Sequence, residues 1–210
     1  MIDYRLILKS AVDPNIPSVE ALMAGDAGHG DHSLNQLSPQ SVMPKPAAVL
    51  IPIVERASGP HMILTVRAAH LPKHSGQVAF PGGKIESGDA SPCQAALRET
   101  HEEIGIHPQH VELIGAIDSY QTVTAYRVLP VLGFVEDGFS IEMERNEVAD
   151  VFEVPLDFIL DERNHNIETR QFEGYQRYFY AMHYEGYYIW GATAGMIHNL
   201  TDRLNGGMKR

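Results

Sequence analysis

The sequence predicts an α/β protein whose mixed sheet lies between helices, and three observations predict it. Extended runs rich in β-branched and aromatic residues recur over 47–54, 61–67, 111–122, 126–136, 150–154 and 177–184. A strongly capped helix interrupts them at 92–104, and a second helical run, 192–204, comes near the end. Strands interleaved with helices that each have one apolar face require a layered solution, with the sheet covered by the helices.

Taken in order, residues 1–46 differ in composition from the rest of the chain and are set apart as an N-terminal extension, partly flexible. They hold two short apolar pieces, 4–8 and 19–23, and then a stretch, 25–46, rich in Gly, Asp, His, Ser and Pro that reads as a loop. His29 and His32 lie in it; with no cysteine or third histidine nearby, they read as solvated loop residues rather than metal ligands. Residues 47–210 form the main domain. Ser58-Gly59-Pro60 marks a hairpin between the first two strands. Residues 71–75 connect to a short strand, 77–80, that feeds a Gly82-Gly83 turn. The runs 111–122 and 126–136 are expected to pair, and 156–160 is a short helix. In the last helix Met196, Ile197, Leu200 and Leu204 share one side, with Gly206-Gly207 as its stop.

The chain is organised around residues 80–106, FPGGKIESGDASPCQAALRETHEEIGI. Ser91 is a good N-cap, Pro92 suits the first helical position, Gln94 completes a capping box and Gly105 is the natural stop. Cys93, Ala96, Leu97, Thr100 and Ile104 fall on one helical face, expected to be buried, with Cys93 as a small core residue. Glu99, Glu102 and Glu103 are expected to lie away from it. Glu99 and Glu103 are one turn apart, and all three glutamates occupy the last turns, where the helix dipole favours cations. Two local rules are therefore broken. Either this is a solvated acidic face, or the carboxylates gather a hard divalent cation such as Mg²⁺.

These residues resemble the Nudix box, G-x5-E-x7-R-E-U-x-E-E-x-G-U with U aliphatic. Gly83, Arg98, Glu99, Glu102, Glu103, Gly105 and Ile106 match. Thr100 stands where an aliphatic is usual, and the Gly83 to Arg98 interval is one residue longer than the common form. The first glutamate of the motif thus has no strict counterpart, Glu86 and Asp89 being the nearby acids. The longer interval resembles the coenzyme A pyrophosphatase branch of the Nudix hydrolases, which also carries an upstream signature, L-T-x-R-[SA]-x3-R-x3-G-x3-F-P-G-G. Leu64, Thr65, Arg67, Ala68, Gly76, Phe80, Pro81, Gly82 and Gly83 fit it with unbroken spacing. Pro72 replaces the second arginine, with Lys73 beside it.

The resemblance implies an α/β/α sandwich and a hydrolase that uses Mg²⁺ or Mn²⁺ to cleave the diphosphate of coenzyme A. The products would be adenosine 3',5'-bisphosphate and 4'-phosphopantetheine. It implies Glu99 and Glu103 as principal metal ligands with Glu102 completing the set, and Arg98 pairing with a carboxylate of the box or loop. Gly82 and Gly83 would let the backbone approach the substrate closely, and Arg67, Lys73, His74 and Lys84 are candidates to meet its anionic groups. The base stays open between Glu99 or Glu103 acting on bound water and Glu147 from a later loop. Alternatives within the family are cleavage of ADP-ribose, a dinucleotide or a nucleotide sugar, and a module that senses a nucleotide without hydrolysing it.

Composition narrows the partners. A formal net charge of -11 argues against non-specific nucleic-acid binding, which needs a basic surface, but leaves room for a small anionic substrate met by local cations. Cys93 is the only cysteine, so no disulfide forms within the chain and a reducing compartment is expected. No apolar run approaches ~20 residues and no signal-peptide core is visible at the N-terminus, so no membrane partner and a cytoplasmic location are expected. A homodimer with residues 1–46 over its interface and a monomer are both compatible with the sequence.

Overall fold

The computed structural model describes residues 3–25, 28–35, 43–72, 74–172 and 175–208. In chain order its elements begin with α1 (Tyr4–Ala11), α2 (Val19–Ala24), β1 (His29–Gly30), α3 (Asp31–Asn35), β2 (Lys45–Arg56) and β3 (Gly59–Arg67). Next come β4 (Val78–Ala79), β5 (Gly82–Lys84), α4 (Pro92–Ile104), β6 (Val111–Ala116), β7 (Tyr120–Gln121) and β8 (Tyr126–Val135). The chain continues through β9 (Val148–Pro155), α5 (Leu156–Ile159), β10 (Asn166–Phe172), β11 (Tyr175–Tyr184), β12 (Tyr187–Trp190) and α6 (Ala192–Met208).

Alternation along β2 sets the layers. Ala48 and Leu50 pack with Ala95 and Ala96 of α4, and Val54 packs with Ile104 at its end. Ala47, Ile51 and Ile53 belong to the larger cluster that contains Leu8 of α1 and Ile197, Leu200 and Leu204 of α6. Side chains two apart share a face, so α4 covers one side of the sheet while α1 and α6 cover the other. A strand buried on both faces reads as a continuous apolar run, which is what the residues of β2 show. The sheet is mixed: β2 runs parallel to β8 from Lys45↔Tyr126 to Val54↔Val135 and antiparallel to β3 and β5. The α/β class with a mixed sheet is therefore present.

Several expectations change. β6 and β7 both pair with β8, but residues 117–119 separate them into two strands. β10, β11 and β12 make a second, three-stranded antiparallel sheet, of which only β11 is legible beforehand. α6 runs on through Gly206 to Met208; glycine costs least in an exposed last turn, where it displaces no packing.

The described parts of residues 1–46 are docked. Leu8 has no exposed surface, Arg5 and Lys9 pair with Glu112 at 2.8 and 2.9 Å, and Asp13 exchanges backbone hydrogen bonds with Ala116. Within the expected loop, His29–Gly30 adds a parallel strand beside β7, so His29 is not a plain loop residue, and α3 follows it. Residues 26–27 and 36–42 of that stretch lie outside the described residues. Leu8→Ala is expected to lower stability by about 2–4 kcal/mol, read as a lower urea midpoint at unchanged slope. An unchanged midpoint would mean that α1 is not part of the cooperative unit. Among the described residues no helix is long and apolar enough to cross a membrane.

Candidate active site

Local chemistry places α4 where the sequence puts it. Ser91 Oγ accepts from the Gln94 N–H at 3.2 Å, and the Gln94 side chain accepts from the Ala90 N–H at 2.7 Å, one residue upstream of the N-cap. Gly105 ends the helix with φ 77°. The carbonyls freed at that end are then taken by a later loop: Glu144 N–H donates to Glu103 O at 2.9 Å and Glu142 N–H to Ile104 O at 3.0 Å. Glu147 N–H bonds back to Glu144 O, and the Glu147 carbonyl accepts from Ala68 N–H at 2.8 Å. The loop that satisfies the helix end thus delivers Glu147 beside the residue that follows Arg67.

The buried face of α4 differs from the expected one. Pro92, Ala95, Ala96, Thr100, Glu103 and Ile104 are buried, while Cys93 and Leu97 are only partly so. Glu103 does not lie away from the core: its side chain is 5% exposed. The reason is tertiary. Thr100 and Glu103 are three residues apart on the stripe that meets β2 and β5, and β5 opens with two glycines that leave room for a carboxylate. Burial also raises the pKa of the Cys93 thiol, so it stays protonated and inert.

Both glycines are needed there. Gly82 has φ 148°, and a Cβ on it would come within 2.5 Å of Ala48 O and Val49 Cα. Its N–H donates to Glu103 Oε2 at 3.2 Å. A Cβ on Gly83 would meet the Glu99 carboxylate at 2.6 Å, so the bare Cα of Gly83 is the floor against which Glu99 rests. Gly83→Ala is expected to push that carboxylate aside, cutting kcat/KM by about 10²-fold while costing less than about 1 kcal/mol of stability. Steady-state kinetics beside a urea titration checks this, and wild-type kinetics would show that the position of Glu99 is immaterial.

Arg98 is the tie of the site. Its Nε and Nη2 form a fork on the two oxygens of Asp89, both at 3.0 Å, and Nη1 reaches Glu99 at 3.0 Å and Glu102 at 2.9 Å. Nη2 also donates to the Lys84 carbonyl. Of the two acids near the motif's missing position, Asp89 is the one engaged; its pKa is lowered chiefly by the Arg98 hydrogen bonds. Arg98 is held cationic in turn.

The electrostatics favour a cation. Burial raises Glu103 to about 8, against the pull of the Gly82 N–H and of Arg67, whose Nη1 is 3.8 Å away; Glu99 and Glu147 push it higher. Glu99 is raised first by burial, and Glu102 and Glu147 add to this while Arg98 opposes them. Carboxylates held together at such cost are stabilised by a bound divalent cation, and their oxygens are the hard donors Mg²⁺ and Mn²⁺ take. The donor chemistry of Glu99 and Glu103 therefore fits one. Glu102 is 57% exposed and turned to Arg98, and among the described residues no three acidic, histidine or cysteine side chains already converge as a cage.

The substrate candidates are divided. Arg67 stands next to Glu103, and its Nε is buried without a hydrogen-bond partner. Lys84 is exposed and joins the site through its carbonyl. His74 is exposed and bonded to Gln77, and Lys73 lies outside the described residues. The role of the 142–148 loop in closing α4 was not signalled by the sequence, because its contacts are made by backbone groups.

The chain matches the NUDIX domain family model over residues 44–178. It is 44% identical over 164 residues to a protein of Enterobacter sp. (strain 638) called an uncharacterized Nudix hydrolase NudL, covering 78% of this chain and 83% of that one. It is 42% identical over 170 residues to the Escherichia coli (strain K12 / DH10B) protein of the same name, covering 80% and 88%. The solved MutT protein of Methanosarcina mazei Go1 shares the fold, with a TM-score of 0.51, 16% identity, and coverage of 81% of this chain and 100% of that one. With the family model spanning well over half its length and such relatives across most of it, the chain belongs to the Nudix family, as a hydrolase of diphosphate bonds.

Proposed function

We propose that the protein hydrolyses the diphosphate linkage of coenzyme A, releasing adenosine 3',5'-bisphosphate and 4'-phosphopantetheine. As a Nudix hydrolase it acts on a nucleoside diphosphate derivative, and the finer assignment rests on one observation. Arg67, from the unbroken signature that runs into Gly82-Gly83, stands 3.8 Å from the buried Glu103. The signature and the glutamate pair therefore share one site, where a guanidinium meets an anionic oxygen of the substrate.

A diphosphate resists attack because its oxygens repel a nucleophile, so positioning and charge neutralisation are the protein's tasks. Glu99 and Glu103 would hold Mg²⁺ or Mn²⁺, which when bound would neutralise the diphosphate and acidify a water. Arg98 fixes Glu99 from one side and Gly83 from below. The Gly82 N–H orients Glu103. Glu147, exposed and close enough to disturb both glutamates, accepts the proton of the attacking water. Glu102 steadies Arg98 rather than completing the ligand set. Lys73 and Lys84 remain candidates for the phosphates, Lys73 as a point charge where Pro72 has removed an arginine's fork.

The test is hydrolysis of coenzyme A, ADP-ribose and a dinucleoside polyphosphate side by side, with Mg²⁺ present or chelated and products identified by mass. Metal-dependent release of adenosine 3',5'-bisphosphate, preferred over the other two substrates, is the expected result. Preference for another diphosphate would keep the chemistry and reject coenzyme A. The absence of turnover on all three would favour a sensing module.

A further inference from the structure

The face of the sheet opposite α4 holds a second cluster of polar and aromatic groups, independent of the hydrolase site. A cavity of about 160 Å³ lies there between β1, α3, β7, β11 and α6, lined in part by His29, Tyr120, Tyr180, His198, Asn199 and Asp202. Among the described residues the lining contains no lysine or arginine.

Oxygen partners assign the histidine tautomers. His165 Nε2 lies 2.8 Å from the Ile159 carbonyl, which only accepts, so Nε2 carries hydrogen. In the neutral ring Nδ1 is then an acceptor, and it faces His198 Nδ1 at 3.1 Å, so His198 donates from Nδ1. A neutral His198 is left with a bare lone pair on Nε2, and that atom stands 3.5 Å from Asp202 Oδ2. Two acceptors face each other with no hydrogen between them. Burial disfavours the imidazolium that would supply one; Asp202 and Glu162 pull the other way, while His165 and His29 reinforce burial. Tyr180 stacks on His198 with ring centroids 3.9 Å apart, so it offers no donor in the ring plane.

The lining therefore suits a donor that carries positive charge and an apolar body. Aromatic walls match such a body and attract a cation.

We propose that this cavity binds a small primary amine as its ammonium ion, the head bridging His198 Nε2 and Asp202 Oδ2 from the cavity side and the carbon chain against Tyr120 and Tyr180. The ligand class is set by the lining and not by the diphosphatase reading.

The test is titration of the full chain with propylammonium, 3-amino-1-propanol, 1-propanol and ammonium ion at about pH 8, followed by calorimetry and by the histidine ring signals in NMR spectra. Both amines should saturate and shift His198, with 1-propanol weaker by about tenfold or more. Asp202 is half exposed, so Asp202→Asn should leave the urea midpoint unchanged while weakening propylammonium by about tenfold. Equal binding of 1-propanol and propylammonium, or full affinity in Asp202→Asn, would overturn the proposal. So would absence of saturation by either amine, or ammonium ion binding as tightly as propylammonium.

Discussion

Glu103→Gln is expected to lower kcat by about 10³-fold or more and yet to make the metal-free protein more stable above neutral pH. The activity loss follows from removing a charge from the pair proposed to hold the cation. The stability gain follows from the raised pKa. Unfolded, Glu103 gives up its proton near 4.5; folded, it keeps it up to about 8, because burial outweighs the Gly82 N–H and Arg67. The folded state binds the extra proton, so the contribution of Glu103 is most favourable below pH 4.5 and is lost as pH rises towards about 8. Glutamine has no such slope. With a chelator present, the variant should match wild type near pH 4.5 and exceed it by about 2–4 kcal/mol near pH 9, measured by urea unfolding. A parallel pair of stability curves across that range would sink the assignment of Glu103 as a strained carboxylate, whatever happened to kcat.

Arg98→Ala should be the most destabilising single change at the site, costing about 2–4 kcal/mol and about 10²-fold in kcat/KM. The Asp89 side chain is 3% exposed, and without the fork it keeps the Glu86 N–H but, among the described residues, no cation. Glu99 and Glu102 lose their shared cation at the same time, and the loop between β5 and α4 loses a hydrogen bond at Lys84 O. Arg98→Lys should recover less than half of the loss, because an ammonium cannot hold both Asp89 oxygens and still reach Glu99. Unfolding midpoints of both variants decide it. Full rescue by lysine would mean that charge alone, and not the planar fork, matters.

What could be read from the sequence, and what could not, divides along the range of the interactions. α4 was legible because its caps are local: Ser91, Pro92, Gln94 and Gly105 act within four residues of themselves. Strands β2, β3 and β8 were legible because both their faces are covered and they read as apolar runs. β10 was not, since in NIETRQF the one aliphatic residue, Ile167, is 56% exposed, and no face of the strand carries a core pattern. The burial of Glu103 was hidden for another reason: helical spacing ranks positions by their neighbours on the helix, whereas this carboxylate is buried by glycines of a different element. The docking of α1 was missed because one fully buried residue, Leu8, is too little for periodicity to find in an eight-residue helix.

The parallel pairing of β2 with β8 also bears on how the chain is made. A strand enclosed on both faces in the finished protein has no finished environment until its partner, roughly 80 residues later, has left the ribosome. At about 5–20 residues per second that interval lasts on the order of 4–16 s. During it the run from Val49 to Val54, uncharged and apolar with Pro52 in its middle, can be covered by β3, β5 and α4 but keeps an open edge where β8 will pair. Newly synthesised chains are then most exposed to aggregation and chaperone capture at an intermediate length. Slowing translation between residues 56 and 126 should lower the yield of soluble protein more than slowing it after residue 135.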